Sequence, residues 1–215
     1  MTKKIYSLII SLLVIAAAAL IVVFANSCVP KTTAYEKYYD VEFNRGGRDA
    51  RPENTLYSYS YAIEEGATTI EGDMQMTKDG VVVMSHNPIL SADMTMDEHG
   101  NYIAPNSVDI RTLTFEEVQK YNVGHIKKTS PYYSEHGATQ IEVDAKIPSL
   151  EQLLQLVKDS GNEEIMLNLE TKLYPDPAIG QYYTNNVDAH AFGQAIMDLL
   201  KKYNMVERTI IQSFD

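Results

Sequence analysis

Short apolar runs, each closed by polar or charged residues, recur along this sequence. Tyr39 to Phe43 leads into Asn44-Arg45-Gly46-Gly47, Thr68 to Glu71 comes before Asp73, and Val81 to Met84 precedes Ser85-His86. Ile165 to Leu169 precedes Glu170, and Thr209 to Ile211 precedes Gln212-Ser213. Near-continuous apolar runs of this length, separated by helical segments, predict buried parallel strands in βα units. The helical segments are legible from spacing and caps. Glu53 to Glu65 carries Leu56, Ala62 and Ile63 near helical spacing. Thr114-Phe115-Glu116-Glu117 is a capping box that opens a short helix to about Tyr121. Ser149-Leu150-Glu151-Gln152 opens another over Leu150 to Asp159, which Gly161 closes. Asp188 to Tyr203 places Phe192, Ala195, Ile196, Leu199 and Leu200 on one stripe. Between Asn87 and Ile147, rich in Gly, Pro, Asn and Tyr, the pattern predicts a long loop of the kind that forms a lid or a substrate wall.

The N-terminus follows a different rule. Lys3 and Lys4 precede an uncharged stretch from Tyr6 to Ala25, and Asn26-Ser27 then leads to Cys28, the one cysteine. Residues 1–28 read as a secretion signal, with Cys28 the lipid-modified residue of a bacterial lipoprotein, or as an uncleaved membrane anchor. Residues 29–38 follow as a tether and 39–215 as the folded domain. On this reading the domain lies outside the cytoplasmic membrane, attached to the cell envelope. With Cys28 used in the leader, the domain has neither disulfides nor thiolate metal sites, and any metal must be held by oxygen or imidazole. The formal net charge is −11, and the leader contributes only positive charge, so the domain is more acidic still. That opposes nucleic-acid binding, and a phosphate ligand would need a local cation.

The candidate chemistry sits at strand ends. Glu71 and Asp73 are two apart, so in a strand both point to one face. Paired carboxylates with Glu170 as a third oxygen ligand would suit Ca²⁺ or Mg²⁺. Equally, Glu71 and Asp73 could face solvent, with Glu170 paired to Lys172. His86 follows an apolar strand and is a candidate general acid or base. Arg45 before Gly46-Gly47 could hold a phosphate, or the glycines could simply make a turn. The other four histidines, His99, His125, His136 and His190, lie in loop-like or helix-start contexts without such a pattern.

In order along the chain, Asn44-Arg45-Gly46-Gly47-Arg48, Pro52-Glu53-Asn54-Thr55, Ile70-Glu71-Gly72-Asp73 and Thr77-Lys78-Asp79-Gly80 precede His86-Asn87-Pro88. Ile147-Pro148-Ser149-Leu150, Leu167-Asn168-Leu169-Glu170-Thr171-Lys172 and Ile211-Gln212-Ser213-Phe214-Asp215 follow. Together these segments resemble the glycerophosphodiester phosphodiesterase family. The resemblance implies an α/β fold of the TIM-type (β/α)8 barrel class and metal-dependent hydrolysis of glycerophosphodiesters to glycerol 3-phosphate and an alcohol. It implies Glu71, Asp73 and Glu170 as metal ligands for Ca²⁺ or Mg²⁺, Glu53 near metal and substrate, Arg45 on the phosphate and Lys172 supporting that charge. His86 matches the second of two catalytic histidines.

Asn44 stands where the family has its first catalytic histidine, and Asn87 where it usually has Asp. An amide can hydrogen-bond a phosphate but cannot shuttle a proton. The alternatives are therefore a catalytically impaired homologue that binds phosphodiesters or a partner, and a phosphatidylinositol-specific phospholipase-like enzyme. A carboxylate-pair glycosidase would leave Arg45, His86 and Lys172 without a role. The resemblance further implies a chain truncated at its C-terminus, with about five of the barrel's eight strands. The absence of Trp fits the loss of a tryptophan-bearing strand near the family's C-terminus. Residues 29–215 alone would then be poorly soluble or inactive.

Overall fold

The computed structural model describes residues 39–173 and 187–213. The leader 1–28, the tether 29–38 and the last two residues lie outside the described residues. Among the described residues, five strands form one sheet: β1 (Glu42–Phe43), β2 (Thr69–Met76), β3 (Val82–Met84), β4 (Met166–Thr171) and β5 (Thr209–Ser213). The order β1-β2-β4-β5 is parallel throughout, and β3 pairs antiparallel with the end of β2, Met74 opposite Met84. The expectation of a parallel strand at Val81 to Met84 is therefore corrected. Only Thr77 to Val81 join β2 to β3, closed by a bond from the Thr77 N–H to the Val81 carbonyl at 3.0 Å. A parallel crossover needs a dozen or more residues, so this link permits only a hairpin.

Two strands run past their expected ends for a shared reason. All eight residues of β2 are buried, Glu71 and Asp73 included, and β4 continues through Glu170 to Thr171. Reading apolar runs ends a strand at its first acid, whereas here the acids belong to the pairing ladder.

Among the described residues, five helices accompany the sheet: α1 (Leu56–Glu64), α2 (Phe115–Val118), α3 (Pro131–His136), α4 (Leu150–Asp159) and α5 (Ala189–Lys202). The side chains of Thr55, Thr114, Ser130, Ser149 and Asp188 accept the first N–H groups of these helices, which fixes where each starts. α4 buries Leu150, Leu153, Leu154 and Val157, while α5 buries Phe192, Ile196 and Leu200. They pack with Tyr59 and Ala62 of α1 against Ile70, Met74, Leu167 and Leu169 of the sheet to form the main core.

Residues 87–147 are not the long loop that the pattern predicts. They contain α2, α3, a 3-10 turn at Ile110–Thr112 and bridges linking Ile89 to Asp109 and Met96 to Asn122. A second apolar cluster of Val83, Leu90, Val108, Ile110, Val118, Val123 and Ile147 holds this layer together. Apart from Val83 of β3, its apolar residues come singly or in pairs among polar ones, without a sustained helical or strand period, and that hides the layer from a sequence reading.

Candidate active site

β-pairing explains why the three acids meet. Glu71 and Asp73 share a face of β2, and the register sets Asp73 directly opposite Glu170 of β4. One ligand oxygen from each of Glu71, Asp73 and Glu170 lies within 4.8 Å of the others, and all three residues are buried. The solvent-facing alternative for Glu71 and Asp73 is thereby excluded.

The turn after β1 closes over this cluster. Arg45 adopts a left-handed backbone at φ 50°, followed by Gly46 at 75° and Gly47 at 101°. This curl turns the Arg45 N–H onto Glu71 Oε2 at 2.7 Å, and Asn44 Nδ2 donates to the same oxygen at 2.9 Å. Gly46 is required for space as well as for φ. A Cβ there would sit 2.6 Å from Ser58 Oγ and 2.8 Å from the Tyr59 ring.

Two cations thread between the acids. Arg45 Nη1 donates to Glu53 Oε1 at 2.9 Å, and its Nε lies 3.1 Å from Asp73 Oδ2 as an ion pair without hydrogen-bond alignment. Lys172 Nζ is 3.0 Å from Asp73 Oδ1 and 2.7 Å from Glu170 Oε2. The expected Glu170–Lys172 pair therefore exists, but as part of the cluster and not in place of it. Burial opposes the charge of both cations. Glu53 and Asp73 outweigh it at Arg45, and Glu170 and Asp73 at Lys172, so both pKa values rise. Negative charge remains in excess. Burial first, and then the neighbouring Asp73 charge, push Glu71 up to about 7. Glu170 Oε1 is buried and accepts no hydrogen bond.

His86 follows β3 and faces an adjoining cavity of about 320 Å³, lined also by Arg45, Glu53, Asn54, Tyr132 and His136. Its Nδ1 lies 2.8 Å from Asn87 Oδ1. An amide oxygen only accepts, so Nδ1 carries the proton and Nε2 of the neutral ring keeps its lone pair. Burial first, and then the Arg45 charge, lower the His86 pKa from its ordinary value.

The segment 87–147 supplies residues that sequence reasoning passed over. Tyr132 of α3 donates its hydroxyl to Glu53 Oε2 at 2.6 Å. His136, read as unremarkable from its context, is buried, with Nδ1 2.6 Å from Asp49 Oδ1 and its ring 4.5 Å from that of Tyr132. The Tyr132-Tyr133 and His136-Gly137 pairs were visible in the sequence, but nothing in it showed that they dock on the turn after β1.

The profile of the glycerophosphoryl diester phosphodiesterase family matches residues 45–215. A glycerophosphodiester phosphodiesterase of Bacillus subtilis is 31% identical over 173 residues, covering 80% of this chain and 50% of that protein. The corresponding protein of Caldanaerobacter subterraneus is 29% identical over 176 residues, covering 80% of this chain and 56% of the relative. The chain thus spans about half the length of the curated relatives it matches. Among solved structures, a candidate glycerophosphoryl diester phosphodiesterase from Silicibacter pomeroyi superposes with a TM-score of 0.72 at 29% identity, over 81% of this chain and 57% of that one. An Oleispira antarctica phosphodiesterase, determined in complex with the product sn-glycerol-3-phosphate, shares the fold at TM-score 0.56 and 22% identity, over 85% of this chain and 60% of that one.

Proposed function

The chain belongs to the glycerophosphoryl diester phosphodiesterase family, and from that premise we propose that it hydrolyses glycerophosphodiesters to glycerol 3-phosphate and an alcohol with a divalent cation, Ca²⁺ or Mg²⁺. Its parallel strands β1, β2, β4 and β5 are those of a TIM-type barrel. Asp73 and Glu170 lie in the C-terminal halves of β2 and β4, toward the end where that architecture builds active sites, and Glu71 shares their face two residues before Asp73.

The convergence of these three buried carboxylates carries the reading. Their chemistry fits a hard cation: oxygen donors only, surplus negative charge around Glu71, and a Glu170 oxygen without a hydrogen bond. A cation held there would neutralise the phosphodiester and polarise the attacking oxygen. Arg45, already aimed at the cluster, binds a phosphate oxygen through its guanidinium, and Lys172 pairs with Asp73 and Glu170 and supports the phosphate charge. Glu53 holds Arg45 in place. His86 moves the proton, accepting it at Nε2 and returning it to the departing alcohol. The leader read at residues 1–28 would keep this chemistry at the outer face of the cytoplasmic membrane.

A second reading is favoured by one contact. Asn44 spends its amide on Glu71 and cannot relay a proton, which is compatible with a homologue that binds phosphodiesters without turning them over. An assay on glycerophosphocholine with Ca²⁺, Mg²⁺ or EDTA, beside Asn44→His and His86→Ala, separates the two. Cation-dependent turnover lost in His86→Ala supports the enzyme. A silent parent made active by Asn44→His supports the impaired homologue.

A further inference from the structure

Asn54 has no part in the roles above, yet its side chain touches Asp73 at two points. It is 4% exposed and sits in the left-handed region at φ 54°, just before α1. Its Oδ1 accepts the Asp73 backbone N–H at 3.1 Å and the Tyr59 hydroxyl at 2.8 Å, while its Nδ2 donates to Asp73 Oδ2 at 2.9 Å. Its own N–H donates to the Arg45 carbonyl at 3.0 Å, tying it to the turn that bonds Glu71.

The orientation of this amide is fixed by chemistry. A backbone N–H can only donate and a carboxylate can only accept, so oxygen and nitrogen cannot be exchanged. The position makes two demands at once, a positive φ and a short side chain with both a donor and an acceptor. Gly meets the first alone, Asp would turn a second carboxylate onto Asp73, and Asn meets both. Tyr59 backs the amide from the core, its hydroxyl occupying the place that a Cβ on Gly72 would need.

We propose that Asn54 is the positioning residue of the cation site, locking both the backbone and the carboxylate of Asp73 so that it meets Glu71 and Glu170. This rests on the reading of those three acids as a cation site. Partners that orient a ligand in this way typically carry about 10–100-fold in metal affinity.

Calorimetric titration of Ca²⁺ and Mg²⁺ into the parent, Asn54→Gly and Tyr59→Phe, with thermal unfolding of each in EDTA, tests it. Asn54→Gly keeps the backbone conformation and removes the clamp, and is expected to weaken cation binding by about 10–100-fold. Tyr59→Phe removes a bond to Asn54 without touching Asp73. It should lower the unfolding midpoint but weaken binding by less than about threefold, below the range for losing an orienting partner. If Asn54→Gly does not fold, Asn54→Ala, whose side chain has neither donor nor acceptor, carries the same expectation. Affinity unchanged without the amide, or affinity falling in step with the midpoint in both variants, overturns the inference and leaves the cation site standing. A folded parent that binds neither ion overturns the cation site itself.

Discussion

Asn44 Nδ2 donates to Glu71 Oε2 at 2.9 Å, so the side chain at the position implied for an acid–base histidine serves instead as a neutral brace on a carboxylate. The brace satisfies a buried acid but transfers no proton. Asn44→His is therefore expected to raise turnover of glycerophosphocholine by about 10²–10⁴-fold, the usual contribution of a general acid or base. Initial-rate measurements at saturating cation check this, and an unchanged rate means that His86 suffices alone.

On the proposed mechanism, His86 gives the activity its acid limb. Burial lowers its pKa, so the neutral ring persists below the ordinary 6.5; at saturating cation, which holds Glu71 ionised against its raised pKa of about 7, kcat/KM should begin to fall only beneath pH 6.5. Stability changes in the same direction. The unfolded chain takes up the proton near pH 6.5 while the folded chain resists, so stability is lost as pH falls through that value toward the folded pKa and is complete above it. In His86→Ala the part of the activity and urea-unfolding profiles between pH 4 and 8 that His86 contributes should disappear, and the rate should fall by about 10²–10⁴-fold. What remains is the contribution of Glu71, whose raised pKa of about 7 acts on stability with the opposite sign.

Glu170→Gln keeps the shape of the cluster and removes one negative charge beside Lys172 and Asp73. Fewer ligand charges weaken a hard-cation site, so Ca²⁺ affinity should fall by about tenfold or more. The far-ultraviolet dichroism should match that of the parent. Affinity equal to the parent's in calorimetry would place the cation elsewhere.

Gly46→Ala should be among the most destabilising single changes near the site. The new methyl meets Ser58 and Tyr59 at under 3 Å and sits at φ 75°. Left-handed strain costs about 1–2 kcal/mol and overpacking about 1–3 kcal/mol, so a loss of about 2–5 kcal/mol is expected in denaturant unfolding. A loss under about 1 kcal/mol would mean that the turn relaxes freely.

Tyr132→Phe removes the one hydroxyl by which α3 reaches Glu53. Glu53 keeps its bond to Arg45, so the fold should lose only about 1–2 kcal/mol. If α3 steadies Glu53 and Arg45 for substrate, KM should rise while cation affinity stays constant. Steady-state kinetics and calorimetry on one preparation separate those effects.

Much of this architecture was legible in the chain. The caps at Thr114, Ser149 and Asp188 mark helix starts because their side chains bond the first free N–H groups. The two-residue spacing of Glu71 and Asp73 gave their shared face, and Lys172 was paired with Glu170 from proximity alone. The meeting of Asp73 with Glu170 was not legible from pattern, because a register between strands almost a hundred residues apart leaves no local trace. The layer around Val108, Ile110 and Val118 was missed for a related reason, its apolar residues being isolated in sequence and joined only by packing. The parallel reading of Val81 to Met84 fails because the apolar run shows a strand but not its direction; the short link Thr77 to Val81, which excludes a parallel return, is the signal that decides it.

The most direct measurement is the release of glycerol 3-phosphate from glycerophosphocholine by the purified protein, followed with Ca²⁺ or Mg²⁺ present and again after EDTA. The account predicts release that requires the cation, is lost when Glu71, Asp73 and Glu170 are together replaced by their amides, and increases in Asn44→His. Release that EDTA leaves unchanged, or a folded Asn44→His protein that binds the cation and releases nothing, would contradict it.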